Sequence, residues 1–251
     1  MAQMTVNPFA HHGIDHLSVS SLNLFAASPG IWVMERLLGR AAPVGASAHR
    51  GTAVEAGVIA VLSGAPLAEG IDLANATFTE LSAFSADPRR DKERAALADM
   101  VQQGVGLLAP WGKPDRTQCE KNWLIEGLAI PIVGFSDAEY DAHGLIVDLK
   151  TSFALPNQIK SKHARQVASY VGGSNATGAV AYVTNKKATL YGIEDVPRHI
   201  AALSRQAFSL QRFLALSKDA WELAALLTVD SDSYFLVDPR ARQAAWEVFG
   251  V

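Results

Sequence analysis

The sequence contains a single cysteine, Cys119, among 251 residues. No disulfide can close within the chain, and thiolates cannot build a zinc or iron–sulfur centre in it. Scarce cysteine also fits a reducing compartment. No apolar run approaches the roughly 18–20 residues that span a bilayer, so no membrane role is expected. The opening MAQMTVNPFAHHGIDH lacks the basic start and apolar stretch of a secretory leader, and a cytoplasmic location is the expectation. Positive charge is not in excess either, with 22 Lys and Arg against 25 Asp and Glu and a net charge of −3. Binding to nucleic acid through a globally basic surface is thereby excluded. A local basic groove beside an acidic site, where a bound metal returns positive charge, is not. Repeats and low-complexity linkers are absent.

What is there is ordinary globular material, 49% hydrophobic and 19% charged, enough for one substantial core. A serine of Ser18–Ser21 is set to cap a short helix through Leu22, Leu24 and Phe25, and Pro29 to open a second that stops at Gly39. Residues 51–62, 72–85 and 91–108 carry helical periodicity. Beyond PWGKPD the period changes. Runs at 118–125, 128–135, 138–140 and 145–149 read as strands, with turns at Glu126-Gly127 and Asp141–Gly144. A helix over 157–171, strands at 179–183 and 188–191, and helices from about 196 complete the pattern. The expected fold is α/β, a central mixed sheet flanked by helices in one domain over 1–251. Its parts are a helical N-terminal portion at about 17–110, a sheet core at about 117–192 and C-terminal helices at about 195–249.

The most informative segment is Gly134-Phe135-Ser136-Asp137 followed by Ile146-Val147-Asp148-Leu149-Lys150-Thr151. Asp148 and Lys150 are two apart on a strand and share a face, and a short hairpin brings Asp137 alongside. Leu149 faces the other way and leaves its carbonyl as a candidate ligand. Two aspartates and a carbonyl make a hard oxygen site suited to Mg2+ or Mn2+. A neighbouring lysine can hold an attacking water or offset charge on a phosphate. An isolated D-x-K is ordinarily a solvated surface pair. The apolar Leu145-Ile146-Val147 instead marks this strand as central, where charges are costly without partners or a metal.

The stretch GFSDAEYDAHGLIVDLKTS resembles the core motif of PD-(D/E)xK nucleases, in their RecB-like and lambda-exonuclease-like branches. The resemblance implies a restriction-endonuclease-like core with Asp137, Asp148 and Lys150 as its centre. Ser136 stands where the family carries proline. Arg50-Gly51-Thr52-Ala53-Val54-Glu55 resembles the upstream helix whose acid or histidine completes the metal site, which implies that role for Glu55. Gln166 and Tyr170, four apart on one helical face, match Q-x-x-x-Y. That match implies a glutamine against the active site and a tyrosine on DNA. The start Leu17–Leu22 with Pro29 is also similar, so the matches run from about 17 to 191.

The basic residues near these positions, Arg50, Lys160, Lys162 and Arg165, are candidate phosphate contacts. His16, His49 and His163 are weaker ones. By resemblance, the function implied is metal-dependent exonucleolytic hydrolysis at DNA ends in phage or prophage recombination or repair. Mg2+ or Mn2+ would be the cofactor, DNA the substrate, and a single-strand annealing protein and a homo-oligomer candidate partners. Two alternatives stand beside it: an endonuclease or repair nuclease on the same fold, and a DNA-binding or assembly protein that no longer cuts.

Overall fold

A computed structural model describes residues 7–251; residues 1–6, part of the stretch read above for a leader, lie outside the described residues. In chain order the helices and strands are α1 (Pro8–His11), α2 (Val19–Ala27), α3 (Pro29–Arg36), α4 (Ala46–Leu62), α5 (Leu67–Leu81), α6 (Arg90–Ala95) and α7 (Leu97–Leu108). Then follow β1 (Arg116–Trp123), β2 (Ile132–Tyr140), β3 (Leu145–Thr151), α8 (Ser161–Val171), β4 (Thr177–Val183) and β5 (Ala188–Gly192). The chain ends with α9 (Val196–Leu214), α10 (Ala220–Ala225) and α11 (Pro239–Phe249). No helix among the described residues is long and apolar enough to cross a membrane.

Local chemistry sets most boundaries. The Ser18 side chain accepts a hydrogen bond from the Ser21 amide at 3.1 Å and starts α2, while Pro29 opens α3. Gly144 turns β2 into β3 at φ 55°, a left-handed conformation that glycine adopts without steric cost. The helix expected over 91–108 is two helices, α6 and α7, which meet at Ala96 with its φ of −90° and ψ of −7°. The strand expected at 128–135 begins only at Ile132 and runs on through the one expected at 138–140 as a single strand, β2. Ser136 and Asp137 did not interrupt it because each is buried with a hydrogen-bond partner.

The chain separates into two compact units. The first comprises the chain up to Pro43, Asn122–Gly134 and Ile200–Val251. Its core joins Leu22, Phe25 and Trp32 to Leu203, Ala207, Leu210 and Leu214, which recur at helical spacing along α9. Phe25 and Trp32 meet edge-on at 5.6 Å, and the Trp32 indole N–H is satisfied by Ser21 Oγ at 2.8 Å. Burying each such large side chain contributes about 1.5–3 kcal/mol.

The second unit comprises Val44–Lys121 and Phe135–His199 and holds the paired heart of the sheet. Strand order is β1-β2-β3-β4-β5, with β2–β3 antiparallel, β3–β4 parallel and β4–β5 antiparallel. A parallel pair requires a crossover, and α8 supplies it. Ala138, Val147, Leu149 and Ala181 pack on α4, α5 and α7, and Val180 and Tyr182 pack with Val167 of α8. Helices α4 and α5 touch at glycine, where a Cβ on Gly57 would sit 2.5 Å from the Gly70 carbonyl oxygen. The sheet is mixed and flanked by helices, as expected.

Candidate active site

The β2–β3 ladder pairs Tyr140 with Leu145, Glu139 with Ile146 and Ala138 with Val147, and the pairing stops there. The next position in this register sets Asp137 across from Asp148. The two strands part where the aspartates begin. Asp137 Oδ2 reaches across to accept the Leu149 amide at 2.6 Å. In an extended strand a residue's N–H and C=O point to the same neighbour, so the Leu149 carbonyl is directed to this side as well.

Asp148 is 1% exposed and its Oδ1 has no hydrogen-bond partner. Its Oδ2 lies 2.7 Å from Lys150 Nζ, an ion pair whose angle falls short of a well-aligned hydrogen bond. Burial pushes the Asp148 carboxyl up to about 7, with Lys150 opposing and Asp137 adding to the rise. Burial likewise raises Asp137, and the nearby Glu55 raises it further. Burial also works against the Lys150 charge, but Asp148, Asp137 and Glu55 outweigh it and hold the lysine protonated. Lys150 is thus a positive charge set among three carboxyl groups.

Glu55 comes from α4 on the opposite side of the sheet from α8, and burial raises its pKa, with Lys150 opposing. The Gln118 amide nitrogen links it to Asp137, donating to Glu55 Oε1 and, at 3.4 Å, to Asp137 Oδ1. Gln166 and Tyr170 reach the site from α8. Gln166 Nε2 donates to the Tyr170 hydroxyl at 2.7 Å, and Tyr170 is buried against Ile146 and Val171. Burial and then Asp148 raise the Tyr170 pKa. This tyrosine, expected on DNA, is instead packed inside beside the acids.

Arg50 requires a correction. Expected to touch phosphate, it is buried, pairs with the equally buried Glu93 and donates to Thr151 Oγ1 at 3.2 Å. Its guanidinium is spent inside the protein. Lys160 and Lys162, at the start of α8, are exposed, and Arg165 is half-buried. Burial, then Lys160 and Lys150, depress the Lys162 pKa, so these cations share one field. His163 lies between them, and its Nδ1 is 2.6 Å from the Tyr182 hydroxyl, which also accepts the Lys160 amide at 3.1 Å. Burial, then Lys150, push His163 down to about 3, so it is neutral. His16 is at the surface against Asp15, in the first unit.

These donors suit a hard divalent cation: carboxylates and a carbonyl, with one buried carboxylate oxygen of Asp148 left unpartnered. Among the described residues no group of three or more His, Cys, Asp or Glu side chains stands assembled as a metal cage. Gln118 and Lys150 occupy the space among the acids. Sequence reasoning missed Gln118 and Tyr182, since no motif or spacing marks either.

The structure is a mixed sheet that brings two buried aspartates and a lysine together where one ladder ends. A family model described as the PD-(D/E)XK nuclease superfamily matches residues 16–240, and the chain belongs to that family. Its members generally use divalent metal ions. Among curated proteins none matches the chain. A solved structure titled "Crystal structure of SSO0001" is 22% identical, with a TM-score of 0.31, over 38% of this chain and 50% of that one. The chain thus spans half the length of that structure.

Proposed function

We propose that this family member is a Mg2+- or Mn2+-dependent exonuclease that hydrolyses phosphodiester bonds at DNA ends. The whole chain would act as one nuclease domain of the RecB-like or lambda-exonuclease-like kind. The observation that carries the reading is the convergence of Asp137, Asp148 and Lys150 where β2 and β3 part, with an unpartnered oxygen on Asp148. Asp137, Asp148, Glu55 and the Leu149 carbonyl would hold the metal. When bound, the metal supplies Lewis acidity toward the phosphate and activation of the attacking water.

The remaining chemistry belongs to the chain. Lys150, kept charged by the acids, orients the water and offsets negative charge on the phosphate. Gln166 and Tyr170 fix the wall beside Asp148. Lys160, Lys162 and Arg165 draw the DNA backbone toward the start of α8. Work in phage or prophage recombination or repair, in the cytoplasm, suits a domain of this kind. A single-strand annealing protein and further copies of the chain are its proposed partners.

The test is degradation of end-labelled linear DNA with Mg2+, Mn2+ or EDTA, beside Lys150→Ala and a closed circular substrate. Metal-dependent loss of linear DNA alone, absent in the variant, is the expected result. Cutting of the circle would make the enzyme an endonuclease. No cutting by wild-type protein on any substrate would favour a DNA-binding role without catalysis.

A further inference from the structure

Gln118 belongs to no motif, yet it touches two of the acids that the proposed function assigns to the metal. Its backbone stands at φ 50° within β1, in the left-handed region that non-glycine residues seldom occupy. Such conformations persist where the surroundings over-determine them, and they cluster at functional sites. Here the twist aims the side chain at the acids. One –NH2 group, with its two hydrogens, donates to both Glu55 Oε1 and Asp137 Oδ1.

Two carboxylates that converge need something electropositive between them. Lys150 lies nearest Asp148, at 2.7 Å, and the positive edge of the Gln118 amide lies between Glu55 and Asp137. A divalent cation is attracted to the same point, because carboxylate oxygens converge there. An –NH2 cannot stay against a cation. The terminal amide torsion is broad and two-fold, however, and a half-turn exchanges nitrogen for oxygen. Amide oxygens are ordinary ligands for hard cations, and Gln118 is exposed, which leaves it room to turn.

We propose that Gln118 is a metal ligand of this site, standing in for the cation with its amide nitrogen and turning Oε1 toward the metal on loading. The proposal rests on the divalent-cation reading given above. Its test is calorimetric titration of Mn2+ into wild-type protein, Gln118→Ala and Gln118→Glu, with a thermal melt of each metal-free protein. Gln118→Ala is expected to bind Mn2+ about 10- to 100-fold more weakly, the range typical for lost support at a metal site. Gln118→Glu, which supplies oxygen but no donor, is expected to bind at least as tightly as wild type and to melt lower without metal.

Unchanged or tighter binding by Gln118→Ala would overturn the proposal while leaving the cation reading intact. Weaker binding by Gln118→Glu would overturn it too, and that arm decides alone if the alanine variant does not fold. A wild-type protein that takes up no Mn2+ would overturn the cation reading and this proposal with it.

Discussion

Lys150 Nζ and Asp148 Oδ2 lie 2.7 Å apart, two residues apart on one strand and on the same face of it. The pair is unequal. Lys150 draws on three carboxylates, whereas Asp148 has one oxygen with no partner at all. Among these side chains positive charge is scarcer than negative, and the buried aspartates carry the cost.

That shortage has a pH signature. Burial holds Asp148 at about 7 and also raises Asp137, so both folded-state values exceed those of the unfolded chain. The folded protein binds protons that the unfolded chain releases. This contribution to stability is complete below about pH 4 and is lost as pH rises through the folded-state value. Urea melts in EDTA at pH 5 and pH 8 should show wild type losing more stability between the two than Asp148→Asn. Equal losses would remove the buried aspartate as the cause.

Arg50 separates a structural role from a DNA contact. Arg50→Ala leaves Glu93 buried and uncompensated, which should cost about 3–5 kcal/mol of stability. Chemical denaturation measures the cost, and fluorescence anisotropy with labelled DNA measures affinity under conditions where the variant is folded. Affinity should hold in Arg50→Ala and fall in a Lys160→Ala, Lys162→Ala double variant. A stable Arg50→Ala protein with weak DNA binding would return Arg50 to the interface.

The His163–Tyr182 contact is testable by NMR. Tyr182 is 1% exposed, and its hydroxyl accepts from the Lys160 amide, so its own hydrogen goes to His163 Nδ1. The ring should then carry its proton on Nε2 and stay neutral from pH 4 to 8, as the depressed value of about 3 requires. Ring nitrogen shifts report both, and a titration near the ordinary histidine range would contradict them. Tyr182→Phe should free the tautomer without unfolding the sheet.

Two glycines make a paired test of packing. A Cβ on Gly57 would meet the Gly70 carbonyl oxygen at 2.5 Å and Val101 at 2.9 Å, so Gly57→Ala should destabilise by about 1–3 kcal/mol. Gly106, in α7, has nothing within 4 Å of that position. Gly106→Ala should stabilise by about 0.4–1 kcal/mol through the unfolded chain. Thermal melts of the two variants should move in opposite directions.

The hairpin was legible in the sequence because alternation, Gly144 and the apolar Leu145-Ile146-Val147 all pointed to one geometry. The shared face of Asp148 and Lys150 follows from a period of two. Arg50 was misread because a basic residue beside a motif looks the same whether it faces solvent or a buried glutamate 43 positions away. Gln118 was invisible for a related reason. Its position depends on a backbone twist that no neighbouring glycine or proline announces. The break at Ala96 was hidden because alanine favours helix, and the chain turned there regardless.

The parallel pairing of β3 with β4 bears on the order in which the molecule assembles. Glu55 meets Gln118 across 63 positions of chain, and β4 must cross over by way of α8 to lie beside β3. Closing such long loops costs entropy before any contact rewards it, so these pairings form late. A partly folded chain carries every acid and the lysine but no common space for them. On this geometry the acids and the lysine come to share one space only after those long loops have closed.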